Sequence, residues 1–227
     1  MAKEHGVAGG WAWFRGMVCS IAPLFVAFVL VVALGVSFVA DTSRVLFIAL
    51  SAVVAVAVFL YWKKGIPRVE NFFQGAKGEE ITAALLSSLP DDYHVFNDFR
   101  SEGELVDHVV VGPAGVFSVE TKCWSGKVEL SGDRVIVNGK PPSRDPVVQA
   151  LREADKVRSS VKKSGFDVTV TPLVCFASNT FAVSGGASCG SVKLLNSGDI
   201  LDWFKTRGEV LPKNEVDRLV RVLETVK

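Results

Sequence analysis

Glu120-Thr121-Lys122 is the only acid-x-Lys triplet in the chain, and it ends an otherwise apolar run. That run, Leu105–Lys122, reads LVDHVVVGPAGVFSVETK. Gly112-Pro113-Ala114-Gly115 is a strong turn signal between two valine-rich strands. If these four residues form the loop, positions whose numbers sum to 227 face each other. Asp107 then stands across from Glu120. Side chains alternate faces along a strand, so Lys122 shares the face of Glu120. Two acids and a base thus converge within a few ångströms. Adjacent carboxylates repel unless a proton or cation joins them, and a divalent metal resolves the repulsion. The alternative is a structural Asp–Lys or Glu–Lys ion pair at a sheet edge, since a charge on a buried strand must be paired.

Elements must hold these residues in place. Gly78–Leu89 has helical apolar spacing at Ile81, Ala84, Leu85 and Leu89, with Pro90 after the stop. Acids in its first turn, Glu79 and Glu80, suit the helix dipole. Tyr93–Phe99 reads as a strand, followed by the hairpin strands Leu105–Val111 and Val116–Lys122. Lys127–Leu130 and Arg134–Val137 read as a smaller hairpin. Asp145 is suited to N-cap and Pro146 to the first position of a helix running to Lys163. At 100° per residue, Val147, Leu151, Ala154, Val157 and Val161 make its packing face. Gln149, Arg152, Lys156 and Lys163 make a polar, mostly basic stripe, which is either a solvated face or a track for phosphates. Val168–Ala177 is a strand, Ser178–Gly190 a loop, Val192–Leu195 a strand, Ser197–Lys205 a helix and Lys213–Val226 an amphipathic helix. This order predicts an α/β (α+β) domain, a mixed central sheet flanked by helices in three layers.

The chain has 227 residues and a mean hydropathy of +0.33, too apolar for an ordinary soluble domain. The excess is N-terminal. Val18–Ala40 is 23 residues without a charge and Val45–Trp62 is 18 more. Each is long enough for about 30 Å of hydrocarbon, the second barely so. Asp41-Thr42-Ser43-Arg44 leaves room only for a tight turn. A transmembrane helical hairpin over 17–62 follows; a buried helical pair is the alternative. The first run is too long for the apolar part of a signal peptide, and Phe38 is a poor residue before a cleavage point at Ala40. Lys3, Arg15, Lys63, Lys64 and Arg68 flank the terminal side, against Arg44 in the turn. That bias places both termini in the cytoplasm, at the inner membrane of the cell, in contact with the lipid bilayer. Trp11, Trp13, Tyr61 and Trp62 suit interfacial anchors. Residues 1–16 read as a loosely ordered tail and 63–73 as a linker, where Pro67 argues against an unbroken helix. Residues 74–227 form the soluble domain.

Of 25 basic and 24 acidic residues, three and two precede Lys63, leaving 22 of each. The soluble part is formally neutral and is no polyanion sponge. Four cysteines lack the spacing of a zinc site, and a disulfide framework is not expected in the cytosol. His108 lies on the strand face opposite Asp107 and reads as a packing histidine.

The set Gly75-x-x-Gly78-Glu79, Asp107-His108-Val109-Val110-Val111, Gly115-Val116-Phe117, Glu120-Thr121-Lys122, Trp124-Ser125-Gly126 and Pro146-x-x-Gln149 resembles the nuclease-related domain (NERD) family. That family resembles a branch of the PD-(D/E)xK phosphodiesterases, with a restriction-endonuclease-like fold. The match covers roughly Gln74 to Lys163. Val106 stands where the superfamily has proline. The resemblance implies that Asp107, Glu120 and the Thr121 carbonyl ligate Mg²⁺ or Mn²⁺, with Glu79 reaching the metal directly or through water. It implies that Lys122 orients or deprotonates the attacking water, or stabilises the phosphate. Gln149 then contacts substrate or Lys122. From their shared helix face, beside that site, Arg152, Lys156 and Lys163 are expected to track the phosphate backbone of nucleic acid, DNA in preference to RNA. The activity so implied is metal-dependent phosphodiester hydrolysis. A non-cleaving module that binds nucleic acid or a protein partner, and a membrane adaptor whose acids are structural, are the alternatives.

Overall fold

The computed structural model describes residues 1–39, 44–101, 103–178 and 180–226. It divides into two units, Trp11–Gln74 and a second made of Met1–Gly10 with Gly75–Lys227.

The first unit is helical. Helix α1 spans Gly10–Val39 and α2 spans Arg44–Leu60. Among the described residues, two helical segments, Gly10–Val36 and Phe47–Ser87, are long and apolar enough to cross a membrane by length and composition. Side chains such as Phe25, Phe28 and Ile48 are exposed rather than packed into a core. These helices are consistent with the expected hairpin. Its Asp41-Thr42-Ser43 turn lies outside the described residues. The segment expected as a linker is helical: a π turn over Tyr61–Gly65 leads into α3, Ile66–Ser87. The Ile66 N–H bonds to the Tyr61 carbonyl, five residues back. Pro67 thus lies within a continuous helical segment, directly after the widened turn, where its missing N–H forfeits one backbone bond.

The second unit is a mixed α/β domain. After α3 come β2 (His94–Ser101), β3 (Glu104–Gly112), β4 (Gly115–Lys122), β5 (Val128–Ser131), β6 (Arg134–Val137), α4 (Pro146–Lys163), β7 (Val170–Phe176), β8 (Ala187–Cys189), β9 (Val192–Asn196), α5 (Ser197–Lys205) and α6 (Lys213–Val226). The sheet order is β1-β2-β3-β4-β7-β9-β8, where β1 is Lys3–His5. β2, β3 and β4 are antiparallel neighbours, while β4, β7 and β9 run parallel. Parallel β4 and β7 need a long crossover, which α4 supplies.

Two layers of side chains sandwich this sheet. Phe96, Val109, Val116, Val157, Leu219 and Leu223 join the sheet to α4 and α6 on one face. Leu86, Val95, Phe117, Leu173, Ile200 and Phe204 join it to α3 and α5 on the other. Each fully buried apolar side chain of this size contributes about 1.5–3 kcal/mol relative to exposure.

Two short strands depart from expectation. Residues 3–5, expected in a loose tail, form the edge strand β1, parallel to β2. Backbone bonds from Ala2 to Ser87 and from Lys3 to Tyr93 secure it. β8 lies inside the stretch expected as a loop and pairs with β9. The β5–β6 hairpin forms as expected.

Candidate functional site

The register of β3 and β4 is the expected one: His108 pairs with Val119 and Gly112 with Gly115. Along β4, Val116 belongs to the α4 layer and Phe117 to the α3 layer. Alternation therefore directs Glu120 and Lys122 toward α4. Asp145 caps that helix, accepting the Val147 N–H at 2.9 Å, and Pro146 opens it.

Lys122 makes a buried salt bridge to Glu120, which is only 2% exposed. The same ammonium donates to Gln149 Oε1 at 3.0 Å. Gln149 Nε2 then donates to Glu153 Oε1 at 2.9 Å. Trp124 lies 6.0 Å from the ammonium, within cation–π range. The second carboxylate oxygens of Glu120 and Glu153 are buried and accept no hydrogen bond.

Asp107 accepts the Thr121 N–H at 2.8 Å, so it grips the strand that carries Glu120. Its surroundings break strand alternation. Phe96 and Phe99 lie three apart yet share one apolar layer, as do Val106 and Val109. The slip on β2 falls at Asp98, whose φ is 50°. Asn97 pairs with His108 and Phe99 with Val106, which sets Asp98 across from Asp107. A left-handed non-glycine residue inside a strand re-aims the chain, and such distortions gather at functional sites.

Glu79 enters from α3. The preceding Gly78 lets the helix approach closely, since a Cβ there would stand 2.6 Å from the Cys123 Cβ. Burial and the nearby Asp98 and Glu120 push the Glu79 carboxyl up to about 8, although a Gly9 backbone N–H bonds to it. Asp107 is raised well above the ordinary range by desolvation and then by Glu120, Glu79 and Glu153. Glu153 is raised to about 10 by burial and by Glu120. Burial alone would depress Lys122, but Glu120, Asp107 and Glu153 outweigh it and its pKa rises. The ammonium is therefore charged at neutral pH. His108 is buried, bonded to Asn97 at 2.8 Å and depressed by burial to about 3, so it is neutral packing.

Asp107, Glu120, Lys122, Gln149 and Glu79 thus share one neighbourhood. The carboxylate oxygens among them are of the hard kind that suits Mg²⁺ or Mn²⁺, and one Glu120 oxygen is buried without a hydrogen-bond partner. Among the described residues no three Asp, Glu, His or Cys side chains are arranged to hold a metal ion. Of the basic stripe, Arg152 forms a salt bridge with Glu104, while Lys156 is half-buried and Lys163 exposed. The α4 face is rotated from expectation. Leu151 is 39% exposed, and the buried arc is centred between Ala150 and Val157, with Val147 at one edge and Glu153 and Ser160 at the other.

Two acids were missed by sequence reasoning. Glu153 is a lone carboxylate on the buried arc, visible once the wheel is centred on Ala150. Asp98 carries no sequence signal beyond the register that sets it opposite Asp107.

The nuclease-related domain model matches residues 74–177, which contain Glu79, Asp107, Glu120, Lys122 and Gln149. No curated protein and no solved structure matches the chain.

Proposed function

We propose that this protein is a metal-dependent phosphodiesterase, a nuclease acting on nucleic acid, DNA in preference to RNA. Its apolar helices would hold it at the inner membrane with both termini and the catalytic unit in the cytoplasm. The observation that carries the reading is the Lys122 ammonium, held by Glu120 and Gln149 beside three further carboxyls whose pKa values are raised. The nuclease-related domain match over the same residues supports it.

In this reading Asp107, Glu120 and the Thr121 carbonyl would hold Mg²⁺ or Mn²⁺, and Glu79 would add a ligand directly or through water. The ion, when bound, lowers the pKa of water and polarises the phosphate. Lys122 keeps a positive charge where negative charge develops, and orients the attacking water. Gln149 fixes Lys122. Arg152, Lys156 and Lys163 track the phosphate backbone.

A second reading is a nuclease-fold module that binds nucleic acid or a protein partner without cutting. The lack of a ready-made three-ligand cluster among the described residues favours it. The full chain in mild detergent, given Mn²⁺ or Mg²⁺ and labelled DNA or RNA, separates the two. Metal-dependent cutting that disappears in Lys122→Ala and Asp107→Ala supports the enzyme. Binding without cutting supports the module.

A further inference from the structure

We propose that Glu153 is a positioning residue: it fixes the Gln149 amide so that its oxygen faces Lys122, and thereby holds the ammonium in place. As a statement about catalysis this rests on the nuclease reading above. As a statement about geometry it stands alone.

The argument begins with donor chemistry. An ammonium has three donors and no acceptor, so Gln149 must present its carbonyl oxygen to Lys122. The observed contact, Lys122 Nζ to Gln149 Oε1 at 3.0 Å, obeys this. The amide nitrogen then points the other way and needs an acceptor. Glu153 lies one helical turn on, where side chains four apart are neighbours. Its Oε1 accepts from Gln149 Nε2 at 2.9 Å. Turning the amide over would set its NH₂ against the ammonium and its oxygen against the Glu153 oxygen.

The position of Glu153 gives it no other evident use. It is 1% exposed and is the one charged residue among the buried residues of α4, which include Val147, Ala150, Ala154, Val157, Ser160 and Val161. An acid there costs stability unless its partners repay it. Its partners are Gln149 on one side and Glu120, the salt-bridge partner of Lys122, on the other. Lys122, Gln149 and Glu153 therefore form a hydrogen-bonded chain, and Glu120, the other partner of Lys122, lies near enough to Glu153 to raise its pKa.

The chain has two glutamines, Gln74 and Gln149. Selective glutamine labelling of the full chain in detergent therefore yields two pairs of side-chain amide signals in an NMR spectrum, with a third pair in Glu153→Gln. In the wild type, the Gln149 amide protons are expected to exchange with solvent at least tenfold more slowly than those of a free glutamine. Exchange at the free rate would overturn the proposal without any variant. Glu153→Gln retains an acceptor oxygen and should preserve that protection. It should also preserve the low reactivity of Lys122 toward an amine-acylating reagent, read by peptide mass spectrometry. Glu153→Met removes the acceptor; Gln149 should lose protection and Lys122 should be acylated several-fold faster. Equal behaviour of the two variants, both protected or both released, would overturn the acceptor role. None of these readouts needs cleavage, so an inactive protein with a protected Gln149 refutes the nuclease reading and leaves this inference standing.

Discussion

Asp107 accepts the Thr121 main-chain N–H at 2.8 Å, across the two strands that carry the acids. The bond needs an acceptor oxygen and no charge. Charge at this position works against folding, because burial and then Glu120, Glu79 and Glu153 all raise the Asp107 pKa. Asp107→Asn should therefore fold at least as stably as wild type at pH 8, with its amide oxygen accepting the same N–H. Asp107→Ala should lose about 1–3 kcal/mol, the cost of a backbone donor left unpaired. Thermal melts of both variants in one buffer check this. An Asn variant as unstable as the Ala variant would show that charge, and not the hydrogen bond, is what the strand pair needs.

Glu120 depends on Lys122. At 2% exposure its carboxylate has little water, and its salt bridge is to that ammonium. Removing one partner of a buried pair costs about 3–5 kcal/mol, whereas replacing both with neutral groups is often harmless. Lys122→Met should lower the melting temperature strongly, and adding Glu120→Gln should recover most of the loss. The double-mutant cycle measures the coupling. A coupling energy near zero would mean that the pair is incidental to folding.

Glu79 sets a pH dependence whose sign is opposite to ordinary acid denaturation. Its carboxyl is raised in the folded protein from 4.5 to about 8. Stability from this group is fully present below about 4.5 and is lost as pH rises through about 8. Denaturation midpoints should rise when pH is lowered from 9 to 6. Glu79→Gln should flatten that slope by up to about 1.4 kcal/mol per pH unit. If wild type and variant keep the same slope from pH 6 to 9, the Glu79 carboxyl titrates at its ordinary value.

What the sequence discloses depends on how local the cause is. The β3–β4 register was legible because a tight turn fixes pairing and alternation does the rest. The N-cap at Asp145 was legible for the same reason. β1 was not: Lys3-Glu4-His5 has no apolar alternation, and it is held by backbone bonds to Ser87 and Tyr93, far along the chain. Pro67 suggests a break by its general habit, whereas the helix continues through it after a widened turn. Asp98 escaped because its role comes from a left-handed backbone that no residue type announces. Glu153 escaped because apolar residues alone set the expected face of α4 to include Leu151, whereas the buried arc lies further round toward Glu153 and Ser160.

Gly78 links fold to site through what it lacks. A Cβ there would stand 2.6 Å from the Cys123 Cβ and 3.4 Å from that of Ala177. Helix α3 can therefore approach the end of β4 only with glycine at this position, and the approach brings Glu79 to the other acids. Gly78→Ala must push the helix away or strain both elements, and overpacking of this kind costs about 1–3 kcal/mol. Glu79 would retreat with the helix, so its titration near pH 8 should shift down toward the ordinary carboxylate range even where the variant stays folded. Adding Cys123→Gly removes the clashing Cβ and should restore part of both the stability and the high Glu79 pKa. The carboxyl signal of Glu79, followed by NMR through a pH titration of the three proteins, measures this. If Gly78→Ala leaves that titration at its wild-type position, close helix approach is not what assembles the acids.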